Sequence, residues 1–235
     1  ACRNTLLAVI GLFAVYLVFE FRTLWFRDFP TGFHYSGYAH EGAAWLTLAL
    51  ALATVILSTM FRGAMLHDPR LPQLQRLAWA WSTLNFLLAI AVYNRLLIYV
   101  NFNGMRRMRT IAFLCVTTVV VGFIWVVARI RYDRTGTWVI QRQLWTLAVA
   151  IYLYALTPVD ALVTRYNVTR ILAGDPAPSV EISVHPISTE GFLQLERLLE
   201  SDNAIIRDGV RAMFAEREQQ MVDVAVENRR NGWTT

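Results

Sequence analysis

Between residues 43 and 61 the chain reads AAWLTLALALATVILSTMF, without one charged side chain. That is about what a helix needs to cross a bilayer core of ~30 Å, which takes roughly 20 mainly apolar residues. Four more runs are of the same kind. Residues 5–26 are uncharged as far as Phe19 and are then interrupted by Glu20 and Arg22. Residues 77–100 stay clean until Asn94 and Arg95, residues 110–128 are rich in Val and Thr, and residues 138–159 carry Gln141 and Arg142 near their start. Val and Thr favour strands in water. In lipid, however, a lone strand leaves its backbone groups unpaired, so the pattern predicts five transmembrane helices. The alternating signature of a membrane barrel is missing.

Composition agrees: 56% of the residues are hydrophobic and 17% charged, where soluble domains carry about 25% charged residues. The net charge of +5 combines two opposite parts, +10 before Gly174 and −5 from Gly174 onward. A basic balance can signal nucleic acid, but here the arginines sit between apolar runs, where they flank a bilayer more simply, so nucleic acid is set aside. All the bases are Arg. With alternating orientation the arginines divide eight against seven between the two sides, which decides no topology; the cytoplasmic side is favoured for the C-terminus. Trp25, Trp45, Trp79, Trp81, Trp125, Trp138 and Trp145 lie near the predicted ends, where amphipathic rings collect. The chain begins with Ala and its first apolar run lacks a small-residue cleavage site, so an internal start is expected.

The expected organisation is a transmembrane helical domain over 1–173 and a soluble helical tail over 174–235. The stretch GDPAPS at 174–179 reads as a linker. Alternation of Val180, Ile182 and Val184 with Glu181 and Ser183 predicts one short strand ended by Pro186. A helical pair follows. Ser188 or Thr189 caps the first helix, with Phe192, Leu195, Leu198 and Leu199 on one face; Asp202 caps the second, with Ile206, Val210, Met213 and Phe214 as its stripe. Residues 227–235 are expected to fray.

Four stretches carry candidate chemistry. In the loop after the first span, Tyr38, His40 and Glu41 could form a proton or ion site; more simply, Glu41 complements the dipole of the following helix and the tyrosines anchor the interface. Arg95 lies inside the third span with Asn85 and Asn94, and Glu20 is its expected partner. Charges at that depth cost about 2.5 to 3.5 kcal/mol on insertion scales, so a paired Glu20 and Arg95 would be a clamp and an unpaired one a polar pathway. In NGMRRMR, residues 103–109, Gly104 suits a turn, and Arg106, Arg107 and Arg109 suit lipid phosphates or topology signalling. In PVDALVTRYNVTR, residues 158–170, Asp160, Arg165, Tyr166, Asn167 and Arg170 form a polar collar, either a docking point for the tail or an interfacial helix. Cys2 and Cys115 build no framework, and the four histidines show no metal spacing. No cofactor or metal is expected, and without a visible nucleophile and base pair the chain is read as not an enzyme.

Three of these stretches together resemble a family of bacterial multi-pass inner-membrane proteins known only as a domain of unknown function. HYSGYAHEGAAWL is similar to that family's YAR-x-GF segment through Tyr38, Ala39 and Gly42, with His40 in place of Arg and Ala43 in place of an aromatic. Tyr99, Gly104 and Arg109 match its Y…GLT-x-x-R segment, from which Met105 and Arg106 depart. PVDALVTRYN resembles its NPDALIARYN segment, keeping Asp160, Ala161, Leu162, Arg165, Tyr166 and Asn167. The likeness covers roughly residues 15–172 and implies a bacterial integral membrane protein with more spans upstream, but no activity. Residues 195–215 resemble one HEAT-type helical repeat, which implies a docking tail. The leading expectation is a scaffold or sensor that contacts lipid and, through its acidic tail, a protein partner. The alternative is a permease or ion-coupled transporter with a path through Glu20, Arg95 and Glu41.

Overall fold

A computed structural model describes residues 2–24, 45, 47–49, 51–52, 55, 71–132, 134–184 and 187–232. Among these the chain is all-helical. Its helices are α1 (Cys2–Leu24), α2 (Leu71–Asn103), α3 (Arg107–Tyr132), α4 (Gly136–Leu156), α5 (Val159–Leu172), α6 (Pro178–Val184) and α7 (Thr189–Phe192). A 3-10 helix, Leu193–Glu200, and α8 (Ala204–Arg230) complete the order. They divide between two compact units, Ala1–Phe102 with Met108–Thr157, and Asn103–Arg107 with Pro158–Thr235.

Three described helices, which lie almost wholly in the first unit, are long and apolar enough to cross a membrane, Arg76–Asn103, Arg107–Tyr132 and Gly136–Leu156. Their outer faces are apolar: Ile90, Leu97, Ile124, Leu147, Ile151 and Leu153 are all exposed. Water would penalise such a surface, whereas lipid tails do not. The inner faces follow helical spacing. Leu6, Ala78, Trp81, Phe123, Val126 and Val139 form one cluster; Leu17, Leu88, Ala89, Val92, Leu96 and Val116 form a second, with Ala49 packed against it. The order of these contacts sets two directions: α1 runs parallel to α2, and α3 runs antiparallel to α2. Residues 45, 47–49, 51–52 and 55, inside the expected second span, are helical.

The α3–α4 seam is closed by polar groups that hydrocarbon would otherwise leave unpaired. Gln143 Nε2 donates to the Gly122 carbonyl at 2.9 Å and Trp125 Nε1 donates to Thr146 Oγ1 at 3.0 Å. The Arg142 guanidinium stands 5.5 Å from both the Trp125 and Trp138 rings.

The second unit has its own core of Val168, Ile171, Ile182, Leu195, Leu198 and Val210, with Phe192, Leu199, Ile206, Met213 and Phe214 against it. Both predicted apolar faces of the helical pair are therefore found as drawn. Ser188 is the expected cap, its Oγ accepting from Gly191 N. The second cap is Asn203, not Asp202: Asn203 Oδ1 accepts from Ile205 N at 3.0 Å. Helix α8 runs on to Arg230, past the start of the expected fraying. The expected strand over 180–184 is helix α6 instead. Pro178 fits the first turn of a helix, and a lone strand would have had no ladder partner, whereas a helix satisfies its own backbone. Only Ile182 of the three alternating residues is buried; Val180 and Val184 are exposed.

Residues 158–172 pack with the tail, because Val168 and Ile171 belong to its core. The division thus falls at Pro158, ahead of the Gly/Pro stretch at 174–179. That stretch is a built turn. Gly174, at φ +94°, ends α5 with its N–H on the Ile171 carbonyl at 3.0 Å, while Asp175 N reaches the Arg170 carbonyl at 3.1 Å. These two bonds make the Schellman closure that favours glycine.

Candidate functional site

The short connection between α2 and α3 is part of the second unit. Gly104 sits there at φ +82°, a left-handed conformation that L side chains rarely adopt. A Cβ on it would lie 3.0 Å from Pro178 Cβ and 3.1 Å from Asn167 Oδ1. Asn167, 2% exposed, lies on the inner face of α5 with Thr164, Val168 and Ile171. Its side chain acts as a peptide group: Oδ1 accepts from Met105 N and Nδ2 donates to Met105 O, both at 2.7 Å. Asp160, at the start of α5, faces Arg107 with 3.5 Å between Oδ1 and Nε. Two of the three resemblance segments therefore meet, through Gly104, Asp160 and Asn167.

Other members of those segments lie elsewhere. Arg109 is buried in the first unit with its guanidinium 4.2 Å from the Tyr99 ring centre. Arg165 and Tyr166 are on the exposed side of α5, and Arg170 stands 5.9 Å from the Tyr166 ring. Tyr38 and Glu41 lie outside the described residues. The sequence points neither to Pro178 nor to the main chain of Met105, which bonds to Asn167 and which no side-chain pattern reveals.

Asp175 holds the turn after α5. The Ala177 backbone N–H bonded to its carboxylate lowers its pKa; burial opposes the shift, and the paired Arg170 adds to it.

In the first unit Glu20 and Arg95 are paired, 0% and 3% exposed. Arg95 Nη2 donates to Glu20 Oε2 at 2.6 Å, Arg95 Nε donates to Oε1, and Tyr16 Oη donates to Oε2 at 2.9 Å. The fork is bidentate, the geometry in which Arg binds carboxylate most strongly. Tyr16 is a third member that the sequence could have offered, since it lies one helical turn before Glu20. Further along the buried stripe of α2, Asn85 Nδ2 donates to the Trp81 carbonyl at 2.8 Å. Asn85 Oδ1 and Trp81 Nε1 are buried with no hydrogen-bond partner among the described residues. Among the described residues no group of three His, Cys, Asp or Glu could hold a metal ion.

No curated protein and no solved structure matches the chain. One family profile does, that of the domain of unknown function DUF4153, over residues 3–198, which takes in the three helices long and apolar enough to cross a membrane, the Gly104–Asn167 junction and the second unit as far as Leu198. The chain belongs to the DUF4153 family.

Proposed function

We propose that this protein is a non-enzymatic scaffold or sensor of the bacterial inner membrane, with five spans and a C-terminal helical unit on the cytoplasmic side. Five spans are supported by the parallel run of α1 and α2: two neighbouring parallel helices in a membrane need a crossing in between, and the described residues from 45 to 55 are helical. The observation that carries the scaffold reading is the Glu20–Arg95 pair. Its charges are spent on each other and on Tyr16, joining α1 to α2 across 75 residues of chain. The excess acid from Gly174 onward supplies a docking surface for a basic partner.

Charge exchange tests the clamp. Removing one member of a buried pair leaves an uncompensated charge and costs about 3–5 kcal/mol. Glu20→Gln and Arg95→Gln are therefore expected to lower the unfolding temperature in detergent micelles, and the Glu20→Arg/Arg95→Glu double variant to recover part of it. Single variants that are as stable as the parent would remove the clamp.

A second reading, a permease or ion-coupled transporter, is favoured by Trp81 Nε1 and Asn85 Oδ1, which have no hydrogen-bond partner among the described residues and lie on the stripe that carries Arg95. Ionisable and polar groups inside spans mark solute paths when water reaches them. On that reading Asn85→Cys, in a protein lacking Cys2 and Cys115, reacts with a water-soluble thiol reagent from one side of sealed vesicles. On the scaffold reading it does not react.

A further inference from the structure

We propose that α5 lies in the headgroup layer of the membrane and binds anionic lipid through its outer face. The helix has two faces. Thr164, Asn167, Val168 and Ile171 are buried, while Leu162, Arg165, Tyr166, Thr169 and Leu172 are exposed. Leu162 is 51% exposed, Tyr166 41% and Leu172 42%, an apolar outer face that water would penalise on a unit that already has a core. An interfacial helix has this composition: apolar side chains to enter the acyl boundary, a tyrosine at headgroup level and a basic residue for phosphate. Arg165 supplies that base, with no ion pair among the described residues.

Chain connectivity fixes the depth. Only Thr157 and Pro158 separate α4 from α5, so Val159 is within about 11 Å of the last residue of a span. The far part of α5 cannot lift away, because Asn167 is bonded to Met105 at 2.7 Å, and Met105 lies between Asn103 and Arg107, the facing ends of two candidate spans. Asp160 and Asn167, about two helical turns apart, are thus both held by the same short connection between spans. A helix held at both places stays beside that connection. Its free face is then left for lipid.

The inference rests on α2, α3 and α4 being spans, and the test separates the two claims. Full-length protein lacking Cys2 and Cys115 carries a single fluorophore at Leu162→Cys, Leu172→Cys, Glu218→Cys on α8, or Leu147→Cys on α4. It is reconstituted in phosphatidylcholine vesicles containing either nitroxide-labelled phosphatidylcholine or nitroxide-labelled phosphatidylglycerol. With the nitroxide high on the acyl chain, labels at 162 and 172 should be quenched at least about twofold more than the label at 218. Quenching by the phosphatidylglycerol probe should exceed that by the phosphatidylcholine probe by about fivefold, and Arg165→Gln should remove the excess. Quenching at 162 and 172 no greater than at 218 overturns the proposal. So does shielding of these labels from both lipid and aqueous dithionite, which would mean that protein covers the face. Equal quenching by the two headgroups overturns the anionic preference. The label at 147 reports separately, with a nitroxide near the chain end: if it escapes quenching, the membrane reading itself fails.

Discussion

Asn167 holds the main chain of Met105 by both polar groups of its amide, each bond 2.7 Å long, so a side chain on α5 completes the backbone pairing of the connection between α2 and α3. Both chain segments are thereby locked in one register. Asn167→Ala removes the two bonds and leaves a buried cavity, at an expected cost of about 2–3 kcal/mol. Asn167→Asp keeps the acceptor but sets a carboxylate oxygen against the Met105 carbonyl, and is expected to cost at least as much. Amide hydrogen exchange at Met105 reads the effect directly. Unchanged protection in both variants would show that the pair does not hold the connection.

Gly104 and Gly174 separate backbone strain from crowding. Both have positive φ, but a Cβ at Gly174 meets nothing within 4 Å, while one at Gly104 meets Pro178 and Asn167. Gly174→Ala should lose only the conformational cost, about 1 kcal/mol. Gly104→Ala should lose that and displace the Asn167 amide as well, so its loss should be at least about twice as large and less than additive with Asn167→Ala. Chemical unfolding of the C-terminal unit, followed by protease resistance of α8, provides the comparison. Equal losses at the two glycines would remove crowding from the account.

Apolar periodicity is legible in this chain wherever a core or a long apolar helix involves many residues at once. The runs at 77–100, 110–128 and 138–159 became helices, and Leu195, Leu198, Val210 and Phe214 fell on the faces their spacing required. Reading failed where a few local bonds decide. Val180, Ile182 and Val184 alternate as in a strand, yet Pro178 and the lack of a ladder partner make a helix. Asn203 outcompetes Asp202 for the cap, because its carbonyl oxygen reaches Ile205 N. At the candidate site, Glu20 and Arg95 could be paired from charge and depth alone. The Met105–Asn167 bonds could not, since the partner is main chain far away in sequence.

The turn after α5 should respond to acid. Its Ala177 N–H bond, with the Arg170 pair, lowers the pKa of Asp175 from the ordinary 3.8. A carboxylate with a depressed folded-state pKa contributes stability that is present above the unfolded value and is lost as pH falls through the folded one. The C-terminal unit should therefore weaken in the range below pH 3.8, on this account by the Asp175 share of the slope. Asp175→Asn should flatten the pH dependence in that window while leaving the slope at neutral pH unchanged. Identical acid profiles for the parent and Asp175→Asn would show that the turn stores no such stability.

Close approach of α3 and α4 depends on a glycine for a different reason. A Cβ at Gly122 would fall 2.5 Å from Gln143 Oε1 and 3.0 Å from Nε2, inside the van der Waals limit, but the obstacle is the end of a flexible side chain. In Gly122→Ala the amide should swing out and abandon its bond to the Gly122 carbonyl. Polar bonds between membrane helices contribute about 0.6 kcal/mol on average, up to about 1.7, and Gln143→Ala should lose an amount of that order. Because both substitutions break the same bond, the double variant should be no less stable than Gly122→Ala, and relief of the clash can make it more so. Thermal unfolding of the four proteins in one detergent closes the cycle. Strictly additive losses would mean that Gly122 serves the α3–α4 seam through something other than room for the Gln143 amide.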